Sequence, residues 1–194
     1  MKLMQTYRTL LPILCWLSIL FMIATFFSAE NTKEIFPAVY IIAKVISGVC
    51  KLLYGTCLLK LAALSNKFRI SGWLSIAAFA IGMVASLFIS SKDVPILIQN
   101  LPAPIMIVMS EYYECKAHAK VLKEIKEDIS KKWSSFWWRY FIVLIEVAIS
   151  FWLIRIVPAL GASLIFAVAI VTILIELQKI NYLKQTAVVT RQTN

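Results

Sequence analysis

The residues with chemistry to offer are few, and they stand beside apolar sequence. Glu111, Glu114 and His118, the only histidine, fall within S-E-Y-Y-E-C-K-A-H at 110–118. On a helix, offsets of zero, three and seven place them on one stripe. Two carboxylates and an imidazole so arranged suit a proton, a cation or, with Glu146 or Glu176 added, a metal ion. Bundle carboxylate sites, however, use two Glu-x-x-His pairs, and here one histidine follows its Glu at four residues, so no metal and no cofactor is expected. The same stripe is also what a helix presents where it leaves a membrane.

Lys44, Lys51 and Lys60 interrupt an apolar run from Phe36 to Leu64, and Glu146 stands midway in another from Phe136 to Ile156. A charge near a bilayer centre costs from about 2.5 kcal/mol upward, so it tends to face the bundle interior and pair. Lys44 and Lys51 lie one heptad apart with Gly48 and Gly55 interleaved, a stripe that another helix or an anionic ligand could approach closely. Glu146 is the expected acidic counterpart of Lys44, and Glu111 is the alternative if its helix starts at Pro102. A register-fixing ion pair is the structural reading of Lys44 and Glu146. Lys60, Glu176 and His118 read as solvated residues at the membrane surface.

The elements that must position these groups are membrane helices. The chain has 194 residues, 61% of them hydrophobic and 15% charged, too little polar surface to cover a water-soluble globule of this size. About 20 apolar residues cross a bilayer, and runs near that length fall at 9–29, 36–64, 70–90, 94–118, 136–156 and 159–177. The fourth is the least regular, with Pro95, Pro102 and Pro104, so its helix is expected to begin near Pro102. The first is read as a span and not a cleaved signal, because Phe27 occupies the place where a small residue is wanted. The polar tail from Gln178 is expected to fray.

Charge placement orients the six. Of the 20 basic residues, 14 lie in the head, in 65–70, in 115–139 and in 177–194, and three lie in 30–36, 91–101 and 155–161. The positive-inside rule then puts both termini in the cytoplasm and accounts for the net charge of +10 without nucleic acid. Phe36-Pro37-Ala38, Leu101-Pro102-Ala103 and Val157-Pro158-Ala159 each open an outside-to-inside run, which suggests three helical hairpins in series. Ser71, Ser75, Ala78, Gly82 and Ala85 give the third run a small-residue face suited to a partner subunit or a second copy. Cys15, Cys50, Cys57 and Cys115 all fall in spans, as small apolar residues do.

No sequence motif of a metalloprotease, P-loop, serine hydrolase or thiol redox centre is present. The expectation is an all-α integral membrane protein of six spans forming one domain in the plasma membrane. Its leading function is a small transporter or ligand-binding subunit, with Lys44 and Lys51 on an anionic group and Glu111, Glu114 and Glu146 handling protons or cations. A regulatory or assembly partner, docking a cytoplasmic protein or anionic lipid through the basic 115–139 segment, is the alternative. A membrane-embedded enzyme ranks third, since no nucleophile and base occur together.

Overall fold

A computed structural model of the chain describes residues 2–28, 30–88 and 102–192, and every element among them is helical. The elements are α1 (Lys2–Phe27), α2 (Glu30–Ile35), α3 (Pro37–Lys60), a 3₁₀ turn (Leu61–Ala63), α4 (Asn66–Phe88), α5 (Pro102–Leu122), α6 (Glu127–Ile156) and α7 (Pro158–Gln192). Proline starts three of them, as its fixed φ and missing N–H allow at a first helical position. The residue before is held extended, with φ −136° at Phe36 and −135° at Val157.

The six long helices form a closed ring. α1 packs on α3, α3 on α4, α4 on α5, α5 on α6, α6 on α7, and α7 returns to α1. At the α3–α4 crossing, a Cβ on Gly55 would stand 3.1 Å from the Gly72 carbonyl oxygen and 2.7 Å from Ile76, so glycine is what lets these backbones approach. Gly48 likewise faces Phe79. The two glycines of the Lys-Gly-Lys-Gly stripe of α3 are therefore covered by α4, so it is a helix that approaches them closely.

Three of the described helices are long and apolar enough to cross a membrane: Leu3–Phe27, Pro37–Ala63 and Ala159–Gln192. The sequence led us to expect six. The polar start of α4 carries Asn66, Lys67 and Arg69, α5 carries Glu111, Glu114, Lys116 and Lys120, and α6 opens with Glu127, Asp128, Lys131 and Lys132. The end of the expected third span and the start of the fourth, with Lys92, Asp93 and Pro95, lie outside the described residues.

The carboxyl-terminal tail corrects the sequence reading most sharply. Instead of fraying, α7 continues to Gln192, about 52 Å in all and longer than the roughly 30 Å hydrocarbon core. Lys179, Leu183, Thr186 and Thr190 are all buried, and their steps of four, three and four make one helical face. That face docks into the ring, where burial repays the ordering entropy that would otherwise let a polar tail fray. The amino terminus behaves the same way: α1 begins at Lys2, well before the expected start at Thr9, because Tyr7 is fully buried.

Candidate functional site

The stripe on α5 points to the axis of the ring. Lys179 of α7 reaches it and donates to both Glu111 oxygens, at 2.9 and 2.8 Å, and to Glu114 Oε2 at 3.1 Å. The Tyr54 hydroxyl of α3 donates to Glu114 Oε1 at 2.5 Å, and its ring centroid lies 4.8 Å from the Lys179 ammonium. That ammonium thus has carboxylates on two sides and an aromatic face on a third, which is a strong cation cage. Lys179 has 4% of its side chain exposed and Glu114 has 1%, whereas Glu111 keeps 14%. Glu111 is thus the least enclosed of the three.

One turn further along α5, His118 is fully buried. Its Nδ1 is hydrogen-bonded to the Tyr7 hydroxyl at 2.6 Å. Trp133 of α6 stacks on the imidazole with centroids 4.4 Å apart, and Phe68 of α4 meets it edge-on at 5.0 Å. The Trp133 indole N–H in turn donates to Thr186 at 3.0 Å. His118 Nε2 makes no hydrogen bond and lies 3.7 Å from Glu114 Oε1. The surface-solvated reading of His118 is thus corrected, because rings from three helices enclose it.

All six long helices contribute a side chain: Tyr7, Tyr54, Phe68, the α5 stripe, Trp133 and Lys179. Around them the helices are tied by further polar contacts. Ser71 Oγ donates to the Ser110 carbonyl at 2.8 Å, and Ser110 Oγ donates back to the Ser71 carbonyl at 2.9 Å, fastening α4 to α5. Lys116 donates to Ser134 at 3.1 Å, and Tyr140 donates to Glu176 at 3.2 Å. Arg139 and Gln178 are also hydrogen-bonded, α6 to α7.

Of the residues singled out from the sequence, the fold brings together Glu111, Glu114 and His118 and leaves the others apart. Lys44 is exposed on α3, its ammonium 4.6 Å from the Tyr40 ring centroid, and Glu146 is half-buried on α6. The ion pair expected between them does not form, because α3 packs against α1 and α4 and not against that part of the ring. Lys51 is half-buried with its ammonium over Phe21 at 4.9 Å. Lys60 is exposed. Sequence reasoning missed Lys179, Tyr54 and Tyr7. For Lys179 the signal was present in the period of Leu183, Thr186 and Thr190, and the polar composition of the tail masked it.

With both carboxylates ionised and the imidazole neutral, the cluster would carry one negative charge more than its single ammonium balances. A buried excess charge is costly, so a proton or a cation is the natural complement. Among the described residues no group of three or more His, Cys, Asp or Glu side chains is arranged to hold a metal ion. The physical reason is Lys179, whose ammonium lies between the carboxylates where a metal would have to sit. Compared with known protein families, curated proteins and solved structures, this chain matches none.

Proposed function

We propose that this chain is a multi-pass membrane protein of six crossings, both termini on the cytoplasmic side, that acts as a small transporter or ligand-binding subunit. Its working site is the Glu111–Glu114–Lys179 cluster, with Tyr54 and His118 completing it, in place of the Lys44 and Lys51 site the sequence suggested. One observation carries the reading: two carboxylates, Glu114 buried and Glu111 half-buried, share a single buried ammonium beside an imidazole nitrogen with no hydrogen-bond partner. Ionisable groups held at such depth are expensive, and proton and ion pathways are where membrane proteins retain them. A proton or small cation arriving at Glu111 would neutralise the excess charge and loosen the grip on Lys179. Because Lys179 belongs to α7 and Glu111 to α5, that release would free two helices to move against each other.

The test is flux in proteoliposomes that contain a pH-sensitive dye and are given an imposed membrane potential. Wild-type protein should carry protons or a monovalent cation, and Glu111→Gln should lower the rate to that of empty vesicles while the protein remains folded and monodisperse. A wild-type rate no higher than empty vesicles would refute the transport reading. Cysteine labels near Asn31 and Asp128 should react from opposite faces of the membrane, since an odd number of crossings separates them. Labelling of both from one face would remove the six-crossing arrangement.

A second reading has its own observation. Lys120, Lys123, Lys126, Lys131 and Lys132 are exposed around the turn between α5 and α6 and outnumber the exposed Glu124, Glu127 and Asp128 there, a net basic surface suited to an acidic protein or anionic lipid. Under that reading the buried cluster is only structural, and reversing these charges abolishes function where Glu111→Gln does not.

A further inference from the structure

A groove of about 370 Å³ runs between α1 and α7, outside the charged cluster. Its floor is Leu11, Cys15 and Leu183, all buried, and Trp16 stands beside them with 64% of its surface exposed. Lys184 and Arg191 are exposed and also line it, seven residues or about 10 Å apart along α7. No carboxylate is among its lining residues. The volume falls within the roughly 300–1,000 Å³ of ordinary ligand sites.

We propose that this groove binds an anionic phospholipid, with an acyl chain along Pro12, Trp16, Ile19 and Val188 and the phosphate between Lys184 and Arg191. The apolar floor matches a hydrocarbon chain, and the two cations match a headgroup phosphate, as in basic pockets between membrane helices. A zwitterionic headgroup would bring a third positive charge to a site with no acid to receive it. A second copy of this chain, at net charge +10, would oppose cation to cation. The proposal rests on the chain lying in a bilayer and is independent of flux through Glu111, so either can fail without the other.

The protein reconstituted in phosphatidylcholine bilayers would receive equal small fractions of brominated phosphatidylglycerol or brominated phosphatidylcholine. Bromine quenches indole fluorescence on contact, and the Trp16 signal is the difference between wild type and Trp16→Phe. Trp16 should be quenched more strongly by the anionic lipid. Lys184→Gln and Arg191→Gln should each weaken that preference about fivefold, the equivalent of ~1 kcal/mol per cation, and together abolish it. Lys60→Gln, an exposed cation elsewhere on the bundle, should leave it intact. Equal quenching by the two lipids, a preference that survives the double change, or one that Lys60→Gln also removes would overturn the proposal. So would an absence of quenching by either lipid, which would mean that another helix covers the groove.

Discussion

Lys179 lies between Glu111 and Glu114 with 4% of its side chain exposed, whereas Lys44, although flanked by apolar sequence, stands on the outer face of α3 over Tyr40. The two positions represent two regions of the bundle. Around Lys179 the ring is tightly filled: Tyr7, Leu11, Phe68, Leu122, Trp133 and Leu183 are essentially inaccessible. Around Lys44, some ten residues or about 15 Å along α3 from Tyr54, the surface is Ile41, Ile42, Val45 and Ile46, all exposed. Apolar flanking sequence belongs to Lys44 and a polar tail to Lys179, the reverse of where the two ammoniums lie. What separates them is the face each occupies, and the neighbouring helices set that.

The sharpest way to break this contrast is to remove each charge. Lys179→Met strands two carboxylates in the ring and should destabilise the detergent-solubilised protein by about 3–5 kcal/mol. Adding Glu111→Gln and Glu114→Gln to it should recover a large part of that loss, because neutral amides no longer need the ammonium. Lys44→Leu should leave the thermal midpoint nearly unchanged. A Lys44 effect as large as that of Lys179 would mean that the outer face of α3 is covered by something charged.

Glycines sharpen the same comparison at lower cost. Gly55→Val at the α3–α4 crossing should cost about 1–3 kcal/mol, since its side chain meets Gly72 backbone as well as Ile76. A Cβ on Gly82 meets nothing within 4 Å, so Gly82→Ala should be neutral or gain up to about 1 kcal/mol of helix propensity. Ser71 and Ala78 of the small-residue stripe are buried within the ring, so Gly82 is where that stripe stays open to a partner, and loss of assembly in Gly82→Leu without loss of the monomer's stability would reveal one. A small loss is expected at the seam between α4 and α5. Ser71→Ala removes one of two reciprocal hydrogen bonds and should cost about 1 kcal/mol in a denaturation measurement. No measurable change there would place that seam's strength in side-chain packing.

Part of the site was legible in advance. Offsets of zero, three and seven were enough to bring Glu111, Glu114 and His118 to one face, because helix geometry fixes that whatever surrounds it. Proline positions likewise marked the starts of α3, α5 and α7. The counter-charge was not legible. Lys44 and Glu146 looked matched by distance along their helices, but helices at the same depth meet only if they are neighbours in the ring. Lys179 looked like one more basic residue of a polar tail and was counted toward membrane orientation, although it is an internal ion-pair partner 68 residues from Glu111.

The sequence by itself determined that this chain is helical, rich in apolar surface and strongly basic, and that a carboxylate–imidazole stripe faces one way on α5. These follow from composition and from the 3.6-residue period, which act locally and need no partner. It took the tertiary fold to make the tail a helix docked by one face, to pair Lys179 and not Lys44 with the acids, and to enclose His118 by Tyr7, Phe68 and Trp133. The physical reason is that pairing of a buried charge depends on which helices close the ring, and ring order is a property of the whole chain.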